Sequence, residues 1–164
     1  MARARPIPDL AADDAYAAAA AKIVAVRARE VADHAHDVLN VADIERVHDM
    51  RVATRRLRAA LEIFEPCFPP KELGAALGQV KAIADALGER RDRDVAIAAL
   101  EDFVGAMPAP DRPGVETLIE RLRAEQADAN EALVPFVDAG QLAALSELVS
   151  ELVATAEGVE DAPA

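Results

Sequence analysis

The sequence predicts an all-α fold, an antiparallel helical bundle of about six helices with a four-helix core. Apolar residues recur at the three- and four-residue spacing of amphipathic helices, and no segment alternates with the period of two of a half-buried strand. Proline and glycine separate the periodic segments. The chain has 164 residues, enough for an ordinary hydrophobic core. We expect a single domain over residues 9–156, with a flexible arm at 1–8 and a flexible tail at 157–164.

Capping and breaking residues set most of the predicted helix ends. Asp9 and Asp43 suit the caps of the first two helices, and Gly88 is a natural stop for the third. Pro113 suits the first turn of the fifth helix, and Gly140 separates the fifth from the sixth. The predicted ranges of the first four helices are about 9–40, 43–65, 70–87 and 91–106, and apolar residues at 115–136 and 142–152 describe the fifth and sixth.

The overall charge of the chain excludes some classes of partner. With 18 Lys+Arg against 30 Asp+Glu, the net charge is -12. Proteins that associate generally with nucleic acids or anionic membranes present broadly basic surfaces, so neither partner is expected. No apolar run approaches the roughly 18 residues of a membrane helix. The one cysteine, Cys67, cannot form an intrachain disulfide. These features favour a cytoplasmic protein.

One short segment has the opposite charge. Residues 46–58 contain five arginines and one acid. On a helix, the apolar side chains of this segment lie on one side and the basic ones on the other. Four of the basic residues share one arc of about 80°: His48, Arg51, Arg55 and Arg58.

This basic arc needs a neutralising partner. Like charges three and four residues apart on a helix repel by a few tenths of a kcal/mol per pair, which applies to Arg51, Arg55 and Arg58. Arginine holds phosphate oxygens in pairs through its planar guanidinium, so a bound phosphate-bearing ligand is one interpretation. Internal carboxylates or solvent are the other. Arg56 lies outside both faces and is a weaker candidate.

Further basic residues are candidates for the same surface. Lys81 lies on the same side of the third helix as Gly74 and Gly78, where small residues admit a neighbour closely. In the first helix, Lys22 and Arg29 are seven residues apart and form part of a second polar seam. Lys81 is expected to line a groove, and Lys22 and Arg29 are an extension of the site or a solvated face.

A second charged segment begins near the expected junction between the third and fourth helices. Asp92 and Asp94 would lie in the first turn of the fourth helix, where the helix dipole favours acids. They are expected to support the structure, by holding arginines of the second helix in register, rather than to act in catalysis. Arg91 is able to face either way.

The motifs of common enzyme classes are absent. The chain has no Gly-rich phosphate loop, no His-Glu-x-x-His zinc signature and no nucleophile elbow. Of its three histidines, His34 and His36 are too close along a helix to share a face. We therefore expect no enzymatic activity, no cofactor and no metal site.

Two motifs of the chain match a known pattern when they are taken together. The first is His48-x-x-Arg51-Val52-x-x-Arg55-Arg56-Leu57-Arg58, and the second is Leu87-Gly88-x-x-Arg91-Asp92-x-Asp94-Val95. Over residues 44–100 the chain resembles the CHAD domain, the conserved histidine α-helical domain.

The resemblance implies a function and a set of ligands. CHAD domains are known for binding inorganic polyphosphate along a basic surface and for association with polyphosphate granules. Typical members carry two four-helix bundles, each with its own basic helix, whereas no second His-x-x-Arg-x-x-x-Arg pattern follows residue 100. Either one bundle suffices or two chains pair, and our hypothesis is that a homodimer supplies the second half. The implied ligands, with Arg56 the weakest, are His48, Arg51, Arg55, Arg56, Arg58, Lys81 and Arg91.

Two other functions are compatible with the sequence. A histidine phosphotransfer bundle carries an exposed helical histidine with a base three residues later, as in His48 and Arg51. Such domains usually have lysine and then glycine where this chain has Arg51 and Val52. The other alternative is a helical adaptor whose basic face binds an acidic protein partner.

Overall fold

The computed structural model describes residues 3–158, with the side chains of residues 3–156. Within this range the chain forms five α-helices and two short 3-10 turns, with no strand. The predicted all-α class is confirmed, but the α-helices number five rather than six. They are α1 (Tyr16–His34), α2 (Ile44–Ile63), α3 (Pro70–Ala106), α4 (Pro113–Val137) and α5 (Ala139–Gly158).

The third and fourth predicted helices are one helix. α3 has 37 residues and passes through Gly88 without interruption, and no glycine in the described range has a positive φ. The predicted stop at Gly88 is wrong because the buried stripe of the helix continues past it and packs against α4. Asp92 and Asp94 therefore lie inside a helix and not in a first turn. The continuing stripe comprises Leu87, Arg90, Asp94 and Ile97.

The first helix is shorter than predicted. α1 begins at Tyr16, and Asp9 has a left-handed φ of 56° that a regular helix does not accommodate. Lys22 holds the preceding segment back over α1: its Nζ donates to the Asp9 carbonyl at 2.7 Å and to both carboxylate oxygens of Asp14 at 2.8 Å. After α1 the chain turns again at Asp37, where φ is 60°.

A buried carboxylate ties the N-terminal segment to α1. Glu30 is 1% exposed; its Oε1 accepts a hydrogen bond from the Arg5 N–H, and its Oε2 accepts one from Arg27 Nη1 at 2.8 Å. Burial alone would raise the pKa of Glu30. The two hydrogen bonds and the charges of Arg27 and Arg56 outweigh burial and lower that pKa below its ordinary value. Glu30 is therefore an anion inside the fold.

One hydrophobic core joins the helices. α1 packs against α2 and α5, and α3 packs against α2, α4 and α5. At about 1.5 Å per residue, α3 is roughly 55 Å long and α2 roughly 30 Å, so the C-terminal part of α3 extends past α2 and is covered mainly by α4. Fully buried core side chains include Val24, Met50, Leu57, Ile83, Leu133 and Leu152.

None of the five described helices is long and apolar enough to cross a membrane by itself. Across a bend of 47°, α4 and α5 taken together meet the length and composition of a span.

Candidate anion-binding site

The two helices that carry most of the predicted ligands are antiparallel and in contact. Arg91 of α3 donates from Nη1 to the carbonyl of Ile44, at the start of α2, at 3.0 Å. Further along α2, Arg51 Nη1 lies over Gly88, 2.9 Å from the position that a Cβ would occupy there. Residues later in α3 therefore meet residues earlier in α2. We call the outer surface between the two helices the basic seam; it comprises His48, Arg51, Arg55 and Arg58 of α2 and Lys81, Gly88 and Arg91 of α3.

α2 separates its apolar and basic side chains as its sequence predicts. Arg51, Arg55 and Arg58 are exposed and His48 is half-buried. The side chains that α2 buries are Val47, Met50, Ala53, Thr54, Leu57, Ala60 and Leu61. Because the apolar face is held in the core, the basic face is directed outward.

Three cations of the basic seam have no hydrogen bond or ion pair with any residue that the structure describes: Arg51, Arg55 and Lys81. The chain has 30 acidic and 18 basic residues, so carboxylates are in excess. Internal acids nevertheless leave these three cations unneutralised. They are accordingly free to bind an external anion.

Arg58 has an internal partner that a ligand is able to replace. Its Nε lies 2.7 Å from Oε1 of Glu62, and the two side chains are 48% and 50% exposed. An ion pair this exposed contributes only about 0–1 kcal/mol. A multivalent anion in the basic seam would therefore displace Glu62 at little cost.

Lys81 extends the basic seam along α3. It lies seven residues before Gly88, and Arg58 lies seven residues after Arg51. Because the helices are antiparallel, Lys81 is level with Arg58. The stretch between the two levels is about 10 Å long. Cations from both helices are therefore available along this length.

Arg91 closes the basic seam at the start of α2. Besides its hydrogen bond to Ile44, its Nη2 lies 3.6 Å from Oε1 of Glu45. Arginine has five N–H donors, so these contacts leave donors for a ligand. The sequence leaves the direction of Arg91 open, and the structure turns it toward α2.

Three predicted ligands lie away from the basic seam. Arg56 is half-buried, and its charge acts on Glu30 of α1. Lys22 is paired with Asp14, and it lines, together with Arg29, a cavity of about 300 Å³ between α1, α5 and the N-terminal segment. Lys22 and Arg29 therefore do not extend the basic seam.

Asp94 joins α3 to α4. Its Oδ1 accepts hydrogen bonds from Arg90 Nε at 2.9 Å and from Gln126 Nε2 of α4 at 2.6 Å, and Arg90 also donates to Asn130 of α4. Asp92 is exposed. Among the described side chains neither aspartate contacts an arginine of α2, so the expected contact with the second helix is not formed.

Two residues of the site, Gly88 and Glu62, are not among the ligands or supporting residues that we predict from the sequence. Gly88, expected to end a helix, instead lies beneath the guanidinium of Arg51. No sequence signal reveals this contact, because it depends on the register of α2 against α3. Glu62 follows Arg58 by four residues, the spacing of a helical ion pair. That pair is readable from the sequence once α2 is recognised.

His48 lies beside two carboxylates. Ligand atoms of Glu45, His48 and Asp49 all lie within 4.8 Å of one another, a grouping that is able to hold a metal ion, although the sequence predicts no metal site. The guanidinium of Arg91, 3.6 Å from Glu45, places a positive charge beside the group and disfavours a second cation. We therefore assign His48 to the basic seam.

A cavity of about 540 Å³ lies on another side of α3, against α4 and the segment before α2. Its walls include Val41, Ile44 and Ile97. Two of its charged side chains, Arg123 and Glu101, neutralise each other at 2.6 Å. Apolar walls and paired charges do not suit a polyanion, so the basic seam, an open surface, is the better site for one.

Fold and site together define an all-helical domain whose accessible cations line the contact between two antiparallel helices. A family model of the CHAD domain matches residues 22–164, which extends the similarity from the two motifs into α1 and through α4 and α5. The chain belongs to the CHAD domain family. No curated protein matches the sequence.

Proposed function

We propose that this protein binds inorganic polyphosphate non-covalently in the basic seam. The observation that carries the proposal is that Arg51, Arg55 and Lys81 have no partner among the described residues of a chain with net charge -12. Family membership supports it, because CHAD domains are associated with polyphosphate binding. No reaction of the bound chain is implied.

The proposed contacts are charge-assisted hydrogen bonds. Guanidinium groups of Arg51 and Arg55 would each hold oxygens of successive phosphates in pairs, and Lys81 would add a point charge from α3. Binding would also remove the repulsion between neighbouring arginines of α2. His48 would donate a hydrogen bond that becomes stronger when its imidazole is protonated.

Acids around the basic seam favour a slender ligand. Asp85, Glu89 and Asp92 are exposed on α3 and border the seam on its solvent side. A single phosphate chain would contact the cations alone, whereas a nucleic acid duplex is wide enough to meet these carboxylates and the acidic remainder of the surface. The proposal therefore includes discrimination against DNA and RNA by repulsion.

The test is calorimetric titration of long-chain polyphosphate into the wild type and the double variant Arg51→Ala/Arg55→Ala at two salt concentrations. The matched control is Arg121→Ala/Arg123→Ala, which removes two exposed arginines of α4 that pair with Glu125 and Glu101. Both variants lose the same charge. Binding should be lost in the first variant and retained in the second; equal losses would indicate general electrostatics and no site.

The rival phosphotransfer function predicts a phosphohistidine at His48 after incubation with a phosphorylated receiver domain, which mass spectrometry detects. We expect no such modification. An adaptor function predicts a protein partner that still binds after polyphosphate is digested.

Homodimer formation and association with cytoplasmic polyphosphate granules remain predictions. Sedimentation equilibrium tests the first, and fluorescence imaging tests the second.

A further inference from the structure

Gly88 leaves an opening in the surface of α3, and a side chain of α2 occupies it. A Cβ at Gly88 would lie 2.9 Å from Nη1 and 4.0 Å from Cζ of Arg51. Any larger residue would therefore overlap the guanidinium. The other glycines of α3, Gly74, Gly78 and Gly105, have no atom within 4 Å of such a Cβ.

The occupied opening has no evident structural purpose. Glycine costs roughly 0.5–1 kcal/mol relative to alanine inside a helix, and Gly88 is in the interior of α3 with no positive φ to require it. The atom that a Cβ would meet is the far end of a flexible side chain, which is able to move without disturbing the backbone. Alanine at this position would therefore be tolerated by the fold and would displace only the head of Arg51.

Arg51 and Arg91 cross between the helices in opposite directions. Arg51 reaches from α2 onto α3 at Gly88, and Arg91 reaches from α3 onto α2 at Ile44. A hydrogen bond to Ile44 holds the Arg91 guanidinium. The position of the Arg51 guanidinium depends only on the space that Gly88 leaves on α3.

We propose that Gly88 is a positioning residue for polyphosphate binding: by lacking a side chain it lets the Arg51 guanidinium lie across the basic seam, where α2 and α3 hold the ligand together. This inference rests on the proposed function. Gly88 itself need not touch the ligand. Gly88 affects polyphosphate binding through Arg51, because the size of the residue at position 88 determines where the Arg51 guanidinium lies.

The experiment is calorimetric titration of long-chain polyphosphate into the wild type, Gly88→Ala and Gly78→Ala, with the melting temperature of each. Both substitutions improve helix propensity equally, but only the first displaces Arg51. We expect Gly88→Ala to bind about tenfold more weakly, as for loss of one charge-assisted hydrogen bond, with an unchanged or raised melting temperature. Gly78→Ala should bind like the wild type.

A double-mutant cycle with Arg51→Ala separates the positioning role from other effects. If Gly88 acts through Arg51, Gly88→Ala should change affinity less than about twofold when Arg51 is absent. If the wild type binds polyphosphate and Gly88→Ala binds it equally well, the positioning role would be overturned and the proposed function would stay intact. A wild type that does not bind would overturn both. A melting temperature lowered by Gly88→Ala would overturn the inference, because it would make the contact part of the packing.

Discussion

Replacement of Asp94 by alanine would leave the Arg90 guanidinium without its carboxylate inside the contact between α3 and α4. Both side chains are 0% exposed and lie 2.9 Å apart, and Gln126 would lose the acceptor that it contacts at 2.6 Å. Asn130 would remain the one described side-chain acceptor for Arg90. Removing one partner of a buried ion pair costs about 3–5 kcal/mol, a large part of the roughly 5–15 kcal/mol that stabilises a domain.

The assay is urea unfolding followed by circular dichroism of the helices. The matched control is Glu101→Ala, which breaks the ion pair between Glu101 and Arg123, also between α3 and α4. Those side chains are 47% and 58% exposed, so the control should lose only about 0–1 kcal/mol. If Asp94→Ala and Glu101→Ala lost the same free energy of unfolding, the reasoning from burial would be refuted.

Three further predictions concern acid stability, an internal competitor and salt. Because folding lowers the pKa of Glu30, its contribution to stability is present above the ordinary carboxyl value of about 4.3 and is lost as the pH falls through the lower folded value. Glu30→Gln should therefore flatten the pH dependence of the free energy of unfolding in that acid range, and an unchanged dependence would contradict this role. Glu62→Gln releases Arg58 from its 2.7 Å ion pair and should strengthen polyphosphate binding about two- to threefold. The same change at Glu147, an exposed residue of α5, should leave affinity unchanged, and an equal gain at both sites would exclude a specific competitor. With about three to five contacting cations, a fourfold rise in salt should reduce affinity roughly 20- to 100-fold, and a salt-independent affinity would rule out phosphate contacts.

The basic arc of α2 could be predicted from the sequence because it depends on the periodicity of one helix alone. Apolar periodicity fixes which side of α2 enters the core, and the opposite side then carries Arg51, Arg55 and Arg58. Local spacing also permits the pair of Arg58 with Glu62 to be read directly. The burial of Met50 and Leu57 agrees with this pattern.

The continuity of α3 could not be predicted from the sequence, because the local residues favour a helix end at Gly88 whereas the tertiary packing favours one continuous helix. Gly88 and the charges that follow it are typical of a helix end and an exposed start. However, Leu87, Arg90, Asp94 and Ile97 have the spacing of one continuous stripe, and α4 supplies Asn130 and Gln126, which hydrogen-bond to Arg90 and Asp94 respectively. Burial of an arginine and an aspartate in α3 depends on the packing of α4. The sequence pattern of α3 by itself does not reveal that packing.

The positions of the proposed ligands on α3 also depend on packing between helices and could not be predicted from the sequence. Lys81 and Arg91 are ten residues apart in sequence, and their places opposite Arg58 and Ile44 follow from the register between two helices. Arg56 is adjacent to the basic arc along the chain, but it is half-buried and its charge acts on Glu30 of α1. Neighbourhood in sequence was therefore a poor guide to the site at these positions.

The location of the ligand is tested most directly by following the arginine Nε–Hε NMR signals while polyphosphate is added. Binding in the basic seam predicts that the signals of Arg51, Arg55 and Arg58 shift together, while those of Arg121 and Arg123 on α4 stay in place. Shifts confined to the two α4 arginines, with the α2 signals unchanged, would contradict the site.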